Sequence, residues 1–247
     1  HKRLVLWYLH RSNTLRLRLA VRLSDALVTA DAASLTIKDQ KIVPVGHGID
    51  IQRFSATRNW NEISGRSLRI LSVGRLSPIK DFGTLIKAAA LLREHNITID
   101  VRIVGKPVMP GDYAYEKDLR ELVTTLGAED MVHFIGFVPH RDMPAQYAWA
   151  DIVVGCTPRG GIDKALLEAM AAGSIAMTSN EIMNKYLGQY ANQLLFRHGS
   201  SDDLTKKITS FNKLSWETKK RMSDFLVQSV SRHHQMSDTI SRISQLL

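Results

Sequence analysis

Apolar residues along this chain fall into two alternating rhythms. Short, nearly continuous apolar runs near residues 4–9, 26–30, 41–45, 68–73, 99–104, 132–135, 152–155 and 175–179 predict strands. Between them, apolar residues recurring three and four apart predict helices over 14–23, 82–94, 115–126, 143–149 and 164–171, with a short helix between the second and third strands. Strands that are apolar at nearly every position must be covered on both faces, and the intervening helices supply that cover. The pattern therefore predicts an α/β fold, a Rossmann-like doubly wound parallel sheet. Three more helices, over 203–211, 217–230 and 238–247, close the chain.

The rhythm breaks once. Segment 46–69 is polar, carries Gly46, Gly48 and Gly65, and has no long periodic pattern, so it predicts a linker with a boundary near 48–51. The strand-helix-strand stretch before it is too short to bury both faces of its own sheet. The expected organisation is a remnant of a larger domain over 1–48, a main domain over 49–230, and a terminal helix over 231–247 that returns toward the remnant.

Composition narrows the class. With 44% hydrophobic and 23% charged residues in 247, the chain has the make-up of a folded soluble protein. Lys and Arg number 33 against 24 Asp and Glu, a net charge of +9 that favours an anionic partner. Nucleic acid is not expected, because aromatics are 7% and no RNP, zinc-finger or helix-turn-helix pattern accompanies the basic residues. The one cysteine, Cys156, lies in the apolar run 151–156 and reads as a small core residue; no intramolecular disulfide can form, which points to a reducing compartment, the cytoplasm. No stretch approaches the roughly 18 consecutive apolar residues of a membrane span. Arg11, Arg16, Arg18 and Arg22 alternate with Leu15, Leu17, Leu19, Val21 and Leu23, and two readings stay open: a helix packed on the sheet with arginines at its rim, or a peripheral contact with anionic lipid at the inner membrane face. His233 and His234 are adjacent on a helix, point in different directions and have no ligand-spaced partner, so no metal is expected there.

Two motifs carry the candidate chemistry. The first, Gly74-Arg75-Leu76-Ser77-Pro78-Ile79-Lys80-Asp81, follows a strand and opens a helix. In an open parallel sheet the ligand crevice lies outside the carboxyl ends of the strands. Gly74 permits close backbone approach there. Arg75 offers a planar fork for phosphate oxygens, Lys80 a mobile point charge, and the helix start free N–H groups, so this loop outlines a diphosphate site. The second motif runs from Pro158 to Gly173. Backbone N–H groups near Gly160, Gly161 and Ile162 are available to oxygen acceptors, and Glu168 places a carboxylate on an apolar helix. Glu168 is either a partner for a hydroxylated ligand such as a ribose diol or an exposed helix position. His47, between a strand and Gly48, reads equally as a cleft residue or a packing residue.

Together the motifs resemble the donor-binding domain of the family-4 glycosyltransferases, retaining enzymes of the GT-B fold. The resemblance rests on Gly46-His47-Gly48-Ile49-Asp50, on Gly74-Arg75-Leu76 with Lys80-Asp81, on Phe134-Ile135-Gly136-Phe137-Val138, and on Leu167-Glu168-Ala169-Met170-Ala171-Ala172-Gly173, in the family's order and spacing over about residues 42–210. It implies that Arg75 and Lys80 hold the donor diphosphate and act in catalysis, that Glu168 binds the ribose hydroxyls, and that Gly136, Phe137 and Val138 lie by the nucleobase. It also implies the C-terminal half of a GT-B fold and a hexosyl transfer from a UDP-, GDP- or ADP-sugar to a sugar or lipid-linked acceptor. No cofactor and no metal are implied, and the chain alone, without the acceptor-side domain, would be inactive. The family's first glutamate falls at Gly160, with Gly161 matching the next glycine and Asp163 standing where a second glycine is common. Asp163 either takes over the contact to the transferred sugar or caps the helix. Two rival readings follow from that departure and from the fold: a nucleotide-binding module without catalysis, and a GT-B sugar-nucleotide epimerase.

Overall fold

Three short apolar runs at the start of the chain, β1 (Val5–Trp7), β2 (Ala26–Thr29) and β3 (Ile42–Pro44), pair in parallel in the order β1-β2-β3. The computed structural model describes residues 2–11, 13–63, 65–158 and 160–247. Helix α1 (Leu15–Leu23), capped by the Thr14 side chain, covers this sheet through Leu17 and Val21. It leaves Leu15 at 82%, Leu19 at 58% and Leu23 at 68% exposure, so the helix both packs on the sheet and carries an open apolar stripe.

After β3 come α2 (Ile51–Phe54), β4 (Leu68–Val73), α3 (Phe82–Glu94), β5 (Ile99–Val104), α4 (Pro110–Thr125), β6 (Val132–Gly136), α5 (Met143–Trp149), β7 (Ile152–Gly155), α6 (Lys164–Ala171), β8 (Ile175–Thr178) and the short helices α7 (Asn184–Leu187) and α8 (Ala191–Leu194). The five strands form a parallel sheet in the order β6-β5-β4-β7-β8. The chain builds outward from β4 to β6, then returns to lay β7 on the other side of β4. Consecutive connections therefore leave β4 and β7 in opposite directions, and a crevice opens between them at the carboxyl ends. Right-handed crossovers assign the helices to two faces. Helix α3 packs with α4 and with α9 (Ser201–Asn212), whereas α6 packs with α2 and with α10 (Trp216–His234). The sheet core, including Ile70, Leu71, Val101, Ile103, Ile152, Val153, Ala176 and Met177, is sealed from water. Cys156 is part of that core, and burial pushes its thiol far up.

Three expectations are corrected. Segment 46–69 is no loose linker: Phe54, Trp60 and Ile63 are buried in the main core, and Asp50 caps α2 by accepting the Arg53 N–H at 3.1 Å. Isolated large side chains among polar neighbours have no period, which is why the pattern missed them. Helix α4 starts at Pro110, not near 115, because its first turn is polar; Pro110 suits the first helical turn and Asp112 accepts the Val108 and Met109 N–H groups. Helix α10 also continues past Val230 to His234. Among the described residues no helix is long and apolar enough to cross a membrane.

A buried charge cluster ties the sheet together. Asp151, 1% exposed in its side chain, takes both Arg66 guanidinium nitrogens at 2.8 Å and the Arg69 N–H at 2.9 Å, with Arg58 at 3.5 Å. Burial pulls Arg58 down to about 10 against the opposing pull of Asp151.

The end of α10 returns to the segment that follows β3, between the two sheets. Ile49 donates its N–H to the His234 carbonyl and accepts that of Met236, while Thr239, on α11 (Met236–Ser244), donates its hydroxyl to the Val45 carbonyl at 2.8 Å. At Gly46, with φ of +85°, a Cβ would lie 2.6 Å from the His233 carbonyl, so the crossing admits only glycine. The two histidines part company: His233 bonds the Ser229 carbonyl, whereas His234 is buried and its Nδ1 accepts the His47 N–H at 3.2 Å.

Burial, with His47 and His233 adding and Asp31 opposing, holds His234 down at about 3. Its folded form thus binds fewer protons than an unfolded histidine with a pKa of about 6.5, so stability is complete above that value and falls as pH drops toward 3. Urea midpoints measured from pH 7.5 to 5 are expected to fall in the wild type and to flatten in His234→Gln, which keeps an acceptor for His47. An equal slope in both proteins would assign the acid sensitivity elsewhere.

Candidate functional site

Next to the crevice, the surface over the ends of β4, β5 and β6 is bare backbone. Gly74 donates its N–H to the Val104 carbonyl at 3.0 Å and Gly105 donates to that of Gly136 at 2.8 Å, so the ladder runs on past three strand ends as glycines. A Cβ on Gly105 would sit 1.8 Å from the Gly74 carbonyl oxygen, which explains why the chains can pass so closely here. Gly136, with φ of +78°, turns the next loop so that Phe137 and Val138 come over these strand ends.

The loop after β4 places the two predicted cations. Arg75 is about half exposed, and its Nε lies 3.4 Å from an Asp112 carboxylate oxygen. The Met109 and Val108 N–H groups hold that carboxyl below its usual range, with Arg75 contributing. The Lys80 side chain lies along Gly74 and brings its Nζ 2.7 Å from Asp163 Oδ2. Asp163 also caps α6 by accepting the Ala165 N–H at 3.1 Å. The helix-cap reading of Asp163 is thus correct, and the same carboxylate spans the switch point to reach Lys80. The free helix start expected beside them is absent: the Phe82 N–H of α3 donates to the Tyr115 hydroxyl at 3.0 Å, and burial pushes that hydroxyl up to about 12.

Glu168 is not an exposed helix position. Its side chain is 5% exposed, and each oxygen has its own donor. Tyr147 donates its hydroxyl to Oε2 at 3.0 Å, and His140 Nε2 stands 2.9 Å from Oε1, where an ionised carboxylate can only accept. Lys164 Nζ is 3.8 Å away on the same helix. Burial first, then the charge of Glu168, pushes the Tyr147 hydroxyl far up, so it stays a donor.

Glu168 lines a cavity of about 380 Å³ whose lining is mostly apolar, with Val73, Val104, Val108, Val138 and Met143 in its walls. Gly74, Arg75, Phe137 and Glu168 line this same cavity, and Lys106 sits over the Phe137 ring at 4.9 Å. Lys80 and Asp163 lie beside it rather than in its wall. Gly160 has open space where a Cβ would project; Gly161 lies against the Leu9 carbonyl, and its own carbonyl accepts Asn180 Nδ2 at 3.0 Å. Ile162 is buried, and its backbone bonds the His47 imidazole, which burial, helped by Lys164, holds below its usual range. Gly48 packs against Thr239. His47 and Gly48 thus join the glycine loop to the returning helices. Arg159, within the second motif, lies outside the described residues. Asp112, His140, Tyr147 and Lys106 were not singled out from sequence; only the tertiary fold brings them to the motifs.

Fold and crevice define an α/β domain with a cleft beside the switch point of a doubly wound sheet. The chain belongs to the family described as Glycosyl transferases group 1, which matches residues 54–225. A protein of Salmonella typhimurium named WcaL, a glycosyltransferase ascribed to colanic acid biosynthesis, is 25% identical over 215 residues, 81% of this chain and 51% of that protein. Amylovoran biosynthesis glycosyltransferase AmsK of Erwinia amylovora is 30% identical over 146 residues, 57% of this chain and 34% of that one. The chain spans about half or less of the length of these curated relatives. Among solved structures, Anabaena HepE in complex with UDP superposes with a TM-score of 0.82 at 21% identity, covering 99% of this chain and 71% of that one. This likeness establishes the fold as a Rossmann-like half of the GT-B type.

Proposed function

We propose that this chain is the donor-binding half of a retaining family-4 glycosyltransferase, holding a nucleotide diphospho-sugar for hexosyl transfer to an acceptor hydroxyl. The observation that carries this reading is the buried carboxylate of Glu168 in the lining of an apolar cavity that also takes in Gly74 and Arg75. An apolar slot suits a flat base, a carboxylate suits a ribose diol, and the cations Arg75 and Lys80 beside glycines that admit close approach suit a diphosphate. HepE, solved with UDP, makes a UDP-sugar the first candidate among UDP-, GDP- and ADP-sugars.

When the glycosyl bond breaks, charge accumulates on the diphosphate. Arg75 and Lys80 are assigned to meet it, a role whose worth grows as water is excluded. The acceptor side, a sugar or lipid-linked hydroxyl, belongs to residues outside this chain, so the 247 residues alone bind donor without turnover. Open space at Gly160, where the family carries a glutamate, favours a second reading in which the module binds nucleotide without catalysis.

Melting curves with UDP, GDP, ADP and their sugars test the reading. A saturating match at about 100 times its Kd contributes about 2.7 kcal/mol, which is expected to raise Tm by about 5–10 °C for one base over the others. No shift with any of the six would remove the proposal. Transfer by a longer protein that contains this chain separates the enzyme from the non-catalytic module.

A further inference from the structure

We infer that His140 is a positioning residue, which fixes the carboxylate plane of Glu168 so that it discriminates ribose from deoxyribose. The inference rests on the proposed function for the identity of the ligand. Its geometry rests on the fold alone.

A glutamate carboxylate rotates in a broad, roughly two-fold well about its last torsion, so a single donor holds one oxygen and leaves the plane free. Glu168 has a donor on each oxygen. Tyr147 is 1% exposed and fixed in the core, so it anchors Oε2. His140 is the second point, and only with it is the plane defined. Lys164 cannot replace it, because an ammonium 3.8 Å away on a flexible stem attracts the charge without orienting the group.

His140 would be a poor fixture by itself, since its side chain is 54% exposed and stands on a turn after β6. Helix α2 supplies the missing rigidity. Arg53 donates Nη2–H to the His140 carbonyl at 3.0 Å. Phe54, buried to 2%, sets its ring edgewise against both His140 and Tyr147, each with centroids at 5.7 Å. One aromatic side chain therefore spaces both donors that hold Glu168. The polar stretch that reads as a linker in the sequence is the brace of the ligand-facing carboxylate.

The test compares wild type, His140→Ala and His140→Gln by calorimetric titration. The probes are whichever of UDP, GDP or ADP the melting panel selects and its 2′-deoxy counterpart. His140→Ala is expected to weaken the ribonucleotide about tenfold and the deoxynucleotide less than about twofold, one hydrogen bond's worth of discrimination. His140→Gln, which keeps an N–H donor, is expected to restore most of the difference. In a Glu168→Gln background the alanine change is expected to add less than about twofold, because its partner is already altered. Equal losses for both nucleotides, or losses that add fully in that background, would overturn the positioning role while the nucleotide site stands. Absence of nucleotide binding in the wild type would remove both. Unchanged melting of the apo variants, expected for a half-exposed side chain, keeps folding out of the comparison.

Discussion

Lys80→Ala is expected to lower affinity for a nucleoside diphosphate by about 10- to 100-fold with little loss of stability. A hydrogen bond between charged groups contributes about 1.5–3 kcal/mol, and Lys80 lies along Gly74, where the diphosphate is assigned. Its removal also leaves the Asp163 carboxylate, now without its cation, facing the incoming phosphates. The same substitution does little to the fold, because the pair is partly exposed and such pairs contribute at most about 1 kcal/mol. Arg75→Ala, at a more exposed cation, is expected to cost less. The double variant Lys80→Ala with Asp163→Asn is expected to recover part of the loss, since it removes the stranded charge. Calorimetric titration decides the matter: unchanged affinity in Lys80→Ala would end its assignment to the diphosphate.

Asp151→Ala is expected to cause the largest loss of stability of any single change considered. It removes the shared counterion of Arg66 and Arg58 and the acceptor of the Arg69 N–H, all at a carboxylate with 1% side-chain exposure. Breaking a buried pair by deleting one partner costs about 3–5 kcal/mol, because the remaining charges stay desolvated. For a domain of this size that corresponds to a Tm lower by roughly 6–20 °C. Circular-dichroism melting checks it, and a drop below about 2 °C would mean that the arginines regain water freely.

Much of this architecture can be read from residue order because its causes are local. Strands β7 and β8 are buried on both faces and β4 and β5 bury most of their positions, which a covered parallel sheet accommodates, and glycine-bearing loops after β4 and β7 mark the crevice. Arg75, Lys80 and Glu168 stand out as charges where the surroundings call for none. The partners that fix them could not be read. Tyr147 looks like one more apolar position of α5, and His140 like an exposed turn residue, until the fold sets both against Glu168. Phe54 and Trp60 were lost for the opposite reason, being lone large side chains with no period to reveal their burial. The start of α3 misled because Tyr115, 33 residues downstream, satisfies the N–H that local reasoning leaves open.

The pairing of Lys80 with Asp163 and of Arg75 with Asp112 has a consequence for how ligand arrives. Arg75 and Lys80 each come with their own anion, so neither stands as a bare charge of the chain's +9 excess, whereas Lys106 lies over the aromatic face of Phe137. On the proposed function, capture is an exchange at close range, in which an arriving phosphate displaces a resident carboxylate from its cation.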